Sequence, residues 1–147
     1  EKTAEVLQDG WYNTGDIARI DQDGFIFITG RLSRFSKIGG EMVPHGAVED
    51  KLHALLGLED LQMAVAGAPD EKKGEQLVVL HTLEDGRLDE LFKKLPDAGL
   101  PNIFIPRREM FFRVAALPLL GSGKLNLQEV NRLARERAAG KPVPKSA

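Results

Sequence analysis

The chain of 147 residues has no cysteine, which excludes disulfides, thiolate metal sites and cysteine nucleophiles together and fits a reducing compartment. It also lacks an excess of positive charge. Twenty Lys and Arg stand against 22 Asp and Glu, a formal net charge of −2, so the broad basic field that drives nucleic-acid binding is missing and no nucleic-acid partner is expected. Any anion site must be local. Long apolar runs are missing as well: 42% of the residues are apolar, but no stretch approaches the ~20 that a membrane span requires, so the chain itself reads as a soluble folded protein. An initiating Met and a signal-peptide pattern are both lacking, and the opening Glu1-Lys2-Thr3-Ala4-Glu5 reads as the interior of a longer protein. No internal repeat is visible. Only the end from Gly140 onward has the Pro/Gly/Lys character of a disordered tail, 140–147.

Several catalytic patterns are missing in the same way. His45, His53 and His81 show no metal-ligand spacing and no HExxH context, so they are read as structural or exposed and no metal site is expected. Ser33, Ser36 and Ser122 lack the G-x-S-x-G setting of a serine nucleophile. The run Gly121-Ser122-Gly123-Lys124 is not a Walker loop, because position 118 is Pro and Leu125 follows the lysine. What remains there is a flexible, exposed loop presenting one ammonium, suited to neutralising a carboxylate or phosphate.

What is present centres on Gly30 to Pro44, which carries Arg31, Arg34 and Lys37 against Glu41, with glycines able to take unusual backbone conformations; it reads as a mobile or tightly turned basic connector. Two apolar runs, Ile17–Ile20 and Phe25–Thr29, flank Asp21-Gln22-Asp23-Gly24 and predict a hairpin leading into it. Residues 1–9 read as the end of a helix. After Pro44, Val48, Leu52, Leu55 and Leu56 mark a helix that places Glu49, Asp50 and Lys51 on its opposite face and stops at Gly57. Strands are expected over Leu61–Gly67, Gln76–Thr82 and Met110–Val114, and helices over Leu88–Leu95 and Leu127–Arg137. Phe104, Phe111 and Phe112 belong to the core or its edge, and Lys72-Lys73 to a wet loop. The fold class is α+β: a small three-stranded sheet with packed helices, preceded by a β-hairpin.

Four motifs stand in order: Trp11-Tyr12-Asn13-Thr14-Gly15-Asp16; Gly30-Arg31; Gly39-Gly40-Glu41 with Glu49; and Pro118-Leu119-Leu120-Gly121-Ser122-Gly123-Lys124. In this order and spacing the chain resembles the adenylate-forming enzymes, which include acyl-CoA synthetases, peptide-synthetase adenylation domains and luciferases. The runs Arg34–Val43 and Leu117–Lys124 further resemble the bacterial bifunctional family that joins 2-acylglycerophosphoethanolamine acyltransferase to acyl-[acyl-carrier-protein] synthetase. The resemblance implies that residues 1–30 end a large N-terminal domain, 31–36 form a hinge, and 37–139 form a C-terminal lid domain. It implies ATP and Mg2+ as cofactors, held mainly by the large domain, so that the chain alone is expected to be inactive. Partners would be a fatty acid, lysophosphatidylethanolamine, and the thiol of either acyl carrier protein or CoA. The parent enzyme would sit at the bacterial inner membrane with this domain on the cytoplasmic side.

Residue by residue, the resemblance implies that Asp16 accepts hydrogen bonds from the ribose of ATP, with Arg31 supporting that contact, and that Lys124 reaches the α-phosphate and the fatty-acid carboxylate as acyl-adenylate forms. Gly39 and Gly40 would line the path of the phosphopantetheine thiol. Ser33 stands where many relatives carry an Asp or Lys pivot, and Leu120 where many carry Thr. Two other readings fit the residues: the lid of a fatty-acyl-CoA ligase, and a docking module for acidic carrier protein steered by Arg31, Arg34, Lys37, Lys72 and Lys73.

Overall fold

The computed structural model describes residues 2–140; of the expected disordered tail, 140–147, all but Gly140 lies outside the described residues. The backbone separates into two compact units, the first ending at Phe35 and the second beginning at Ser36.

In the first unit, helix α1 (Lys2–Val6) stops earlier than a helix over 1–9 would, because Asp9 and Gly10 both take positive φ (51° and 82°). They reverse the chain between β1 (Leu7–Gln8) and β2 (Trp11–Tyr12), pairing Leu7 with Tyr12. The predicted hairpin is present as β3 (Asp16–Ile20) and β4 (Ile26–Arg31), antiparallel, with Ile20 opposite Ile26. Its turn closes through Asp21 N–H to Phe25 O (3.1 Å) and Gly24 N–H to Asp21 O (3.2 Å), with Gly24 at φ 86° supplying the left-handed residue of a three-residue loop. The Asp21 carboxylate buttresses it by accepting from the N–H groups of Asp23 and Phe25 at 3.0 and 2.9 Å.

The second unit holds the core. Among the described residues its sheet has five strands rather than the expected three, in the order β6 (Glu41–Pro44), β5 (Phe35–Ile38), β8 (Gly74–His81), β7 (Met63–Asp70), with β9 (Phe111–Arg113) also on β8. The three expected strands appear as β7 (Met63–Asp70), β8 (Gly74–His81) and β9 (Phe111–Arg113). The two additional ones, β5 (Phe35–Ile38) and β6 (Glu41–Pro44), come from the basic stretch itself. They were masked in the sequence by their short length and by the charges that interrupt any alternation. Strands β7 and β8 pair antiparallel from Met63–His81 to Asp70–Gly74, whereas β9 runs parallel to β8.

Both faces of the sheet are covered, and the strand sequences show why. On one face Met63 and Val65 of β7 and Leu77 and Val79 of β8 pack with Val48, Leu52 and Leu56 of α2 (His45–Leu56) and Leu91 of α3 (Asp85–Lys94). On the other, Ala64, Ala66, Ala68, Val78 and Leu80 meet Val130, Leu133 and Ala134 of α4 (Leu127–Ala138). Strands buried on both sides read as continuous apolar runs, and the three alanines let α4 lie close to the sheet. Gly57 ends α2 as expected, at φ 61°, with Leu58 N–H returning to His53 O at 3.0 Å.

Helix α2 also corrects an expectation. Glu49 is not on a solvated face but buried, and its Oε1 accepts the Val65 N–H at 2.7 Å. His53, one turn on, has Nδ1 2.7 Å from Glu49 O, while its Nε2 accepts from the N–H groups of Gln62 and Met63 at 3.1 and 3.3 Å. These side chains satisfy the amides at the start of β7 that its neighbour β8 does not reach, which is how an edge strand is protected from pairing with another chain. A polar residue spaced like a surface residue was thus recruited by backbone donors that the sequence does not display.

Candidate functional site

Asp16 begins β3 directly opposite Arg31 at the end of β4. Arg31 Nε lies 2.8 Å from Asp16 Oδ1, and Arg31 Nη1 donates to Thr14 O at 3.2 Å. The turn before Asp16 is held by others: Asn13 Oδ1 accepts Gly15 N–H at 2.9 Å and Thr14 Oγ1 accepts Asp16 N–H at 3.2 Å. The Asp16 carboxylate is therefore not spent on its own backbone. It is an acceptor oriented by a guanidinium, with a side chain only 19% exposed while that of Arg31 is 62% exposed. Such an arrangement is suited to receiving hydroxyl hydrogen bonds. Gly30 is needed beside it, because a Cβ there would stand 2.8 Å from the ring of Phe35.

Ser33 is exposed and lies in a short 3-10 turn, Leu32–Arg34, whose entry is fixed by Leu32 N–H to Gly15 O at 2.8 Å. Gly39 and Gly40 form the turn between β5 and β6, at φ 59° and 93°. Two successive positive φ values are the signature of a tight hairpin turn that favours glycine. Nothing lies within 4 Å of where their Cβ atoms would be, so conformation rather than crowding within this chain requires glycine.

Lys124 is exposed at the shoulder of a second closed hairpin. Leu120 N–H donates to Lys124 O at 2.7 Å, Gly123 N–H donates to Leu120 O at 2.8 Å, and Gly123 takes φ 80°. Leu119 bridges Leu125, and Asn126 N–H returns to Pro118 O at 2.9 Å. The loop is thus a backbone-bonded hairpin of the same type as Asp21–Phe25, in place of the flexible loop expected. Asn126 then caps α4, its Oδ1 accepting Glu129 N–H at 3.3 Å. Among the described residues Lys124 has no ion pair, and its neighbours Leu119 and Leu120 are about half exposed (52% and 49%). An unpaired ammonium among exposed apolar side chains is poised to meet an anion brought to it.

One feature went unnoticed in the sequence. Ile105, Asn102 and Arg107 face Lys72, Lys73 and Asp70 around a cavity of ≈ 110 Å³. Arg107 Nη2 donates to Asp70 Oδ2 at 2.8 Å and makes a short contact with Gln76 Oε1. The Lys73 N–H holds the Asp70 carboxyl below its usual range, and the Lys72 N–H and Arg107 act in the same direction against desolvation. The rim of this cavity is tied to the glycine turn, since Gly39 N–H donates to Lys73 O at 3.0 Å. Only Lys72-Lys73 hinted at it; Arg107 lies more than thirty residues away, and its approach depends on the fold. Elsewhere, no group of three or more His, Asp or Glu side chains converges to hold a metal among the described residues. No helix there is long and apolar enough to cross a membrane.

No protein-family profile matches the chain. Feruloyl-CoA synthase from an Amycolatopsis species is 37% identical over 135 residues, covering 90% of this chain and 26% of that protein. The fatty acid–[acyl-carrier-protein] ligase ScoC of Streptomyces coeruleorubidus is 41% identical over 75 residues, 51% of this chain and 14% of that protein. The chain matches the C-terminal domain of AMP-binding acyl-CoA and acyl-carrier-protein ligases. Its fold agrees: ATP-bound MatB from Rhodopseudomonas palustris superposes with a TM-score of 0.63 at 22% identity, over 92% of this chain and 27% of that one. The α+β class expected from the sequence is therefore the fold of adenylate-forming enzymes. The chain spans about a quarter of the length of feruloyl-CoA synthase.

Proposed function

We propose that the chain is the end of the large domain and the lid of an ATP-dependent acyl ligase that activates a fatty acid as acyl-AMP and passes it to a phosphopantetheine thiol. The observation that carries this reading is the unpaired Lys124 ammonium on a closed hairpin, in the same chain as the Arg31-oriented Asp16 carboxylate. Lys124 would neutralise charge developing on the α-phosphate and fatty-acid carboxylate, where a preorganised cation contributes most. Asp16 would accept from the ribose hydroxyls, with Arg31 fixing its orientation. Residues 31–36, with Ser33 at their exposed turn, form the hinge between the first unit, which ends the large domain, and the lid. Among the described residues no three His, Asp or Glu side chains converge on a metal position; on this reading Mg2+ would be bound by the large domain, and no step performed by this chain passes through it. The chain alone would then form no acyl-adenylate.

Within that class, the bifunctional acyl-[acyl-carrier-protein] synthetase and 2-acylglycerophosphoethanolamine acyltransferase of the bacterial inner membrane fits the runs Arg34–Val43 and Leu117–Lys124 best, with lysophosphatidylethanolamine as final acceptor. The thiol would pass Gly39 and Gly40. The cavity tied to Gly39 mixes Lys72, Lys73 and Arg107 with Asp70 and Glu75, so it selects no acceptor by charge, and CoA and holo carrier protein share the phosphopantetheine arm. Comparing the two as acceptors separates an acyl-CoA ligase from the carrier-protein enzyme.

The deciding experiment is Lys124→Ala in the full-length ligase. Adenylate formation, followed by pyrophosphate exchange, should fall about 100- to 1,000-fold, the usual effect of removing one preorganised stabilising group, while carrier-protein binding is unchanged. Wild-type exchange would refute the catalytic reading, and loss of carrier binding instead would favour a docking module.

A further inference from the structure

Ser36 is the residue at which the second unit begins, and it is completely buried. Its Oγ lies 2.8 Å from Nε2 of the buried His45, the first residue of α2. Space for the hydroxyl exists because Gly67 of β7 has no side chain; a Cβ there would stand 2.2 Å from Oγ. One residue further, Lys37 N–H donates to Glu75 Oε2 at 2.6 Å. The buried Ser36 hydroxyl loses its hydration, and the bond to His45 offsets that loss, which holds the pair in one geometry. An apolar residue at position 36 would fill the same place without that directional requirement. On the N-terminal side, the first unit is secured as far as Leu32 by the Asp16–Arg31 pair and the Leu32–Gly15 bond.

We infer that the Ser36–His45 pair, admitted by Gly67, is a clasp that sets the C-terminal limit of the backbone pivot, narrowing the proposed 31–36 hinge so that lid rotation is confined to residues 33–35. Ser36 and His45 are then positioning residues: they touch no substrate but make β5 move with the lid from its first buried residue. The inference rests on the ligase reading for its consequence in turnover, although the clasp itself does not. Large backbone changes in domain closure are absorbed by a few residues whose flanks are rigid. If the flank softens, the rotation spreads, and neither end state is reached with the same accuracy.

The test is Ser36→Ala, which removes the hydroxyl and leaves its space. In the 147-residue chain, amide exchange at Lys37 and Ile38 should accelerate about tenfold or more, the effect of losing one buried hydrogen bond. In the full-length ligase, pyrophosphate exchange and the KM for ATP should stay within twofold, while the complete two-step turnover to thioester falls several-fold. A purely structural loss would lower both assays by one common factor, and that result would overturn the inference, as would unchanged amide exchange. A native ligase without exchange activity would refute the ligase reading, and the amide exchange would still decide the clasp.

Discussion

Replacing Gly67 with Ala adds one methyl group in the middle of a buried strand, and the structure indicates what it meets. The new Cβ would stand 2.2 Å from Ser36 Oγ, 3.0 Å from Glu75 Oε1 and 3.5 Å from Ser36 Cβ. Glu75 Oε1 is the far end of a flexible side chain and need give only a few tenths of an ångström, which its Oε2 bond to Lys37 N–H can absorb. Ser36 Oγ cannot retreat without leaving His45, which costs about 1–3 kcal/mol for an unsatisfied buried hydroxyl. Residual crowding adds about 1–3 kcal/mol, and the stiffer unfolded chain offsets about 0.4–1 kcal/mol. The net loss should centre near about 3 kcal/mol, read as a lower denaturant midpoint at unchanged slope in guanidinium unfolding of the chain. The decisive comparison is Gly67→Ala in a Ser36→Ala background. There the nearest remaining atom of residue 36 is at 3.5 Å, an ordinary contact, so the added methyl should cost less than about 0.5 kcal/mol, the range of an independent site. If Gly67→Ala cost the same in both backgrounds, the hydroxyl would not be what keeps position 67 bare.

Two further outcomes follow from buried polar groups. Glu49→Ala orphans the Val65 amide and should destabilise the chain by about 1–3 kcal/mol, whereas Glu49→Gln, which retains an acceptor, should lose less; equal losses in denaturant titrations would remove the edge-capping role. His81 is buried, and desolvation, reinforced by Arg113, lowers its pKa below the ordinary 6.5, against a Leu83 backbone bond and Asp85. Its neutral form is favoured by folding, so its contribution is complete above about pH 6.5 and is lost as the pH falls through the depressed value, with a slope of at most about 1.4 kcal/mol per pH unit. The difference between native and His81→Phe stability curves should show that slope, and a pH-independent difference would refute it.

The sequence carried the parts of this molecule that local chemistry determines. The Asp-Gly turn, the stop at Gly57, the apolar strands and the last helix each announce themselves within a few residues, and the ordered motifs single out Asp16, Arg31 and Lys124 as candidates. What stayed hidden depends on neighbours far along the chain. Glu49 and His53 look like the wet side of a helix until β7 presents its amides to them. Ser36 looks like a linker serine until His45 and Gly67 enclose it. Arg107 meets Asp70 and Gln76 across more than thirty residues, so its cavity has no signature in either segment. Strands β5 and β6 were obscured because a four-residue strand bearing a lysine or a glutamate shows too few positions for a period of two to emerge.

On the proposed reading, the two closed hairpins explain where motion can and cannot reside. A cation stabilises developing charge only if little reorganisation is needed when it arrives. The Leu120–Lys124 backbone bonds, and the cap that ties the loop to α4, meet that need before any substrate is present. The exposed Leu119 and Leu120 would exclude water from the ammonium when covered, strengthening its field. Rigidity at the lysine then transfers the burden of movement to the residues between Leu32 and Ser36, where the backbone leaves one unit and enters the other. The apparent weakness of that segment, a short turn with an exposed serine in place of an acidic or basic pivot, is consistent with its task. A pivot needs tolerant backbone between two fixed ends, and here the ends are fixed by an ion pair on one side and a buried hydroxyl–imidazole bond on the other.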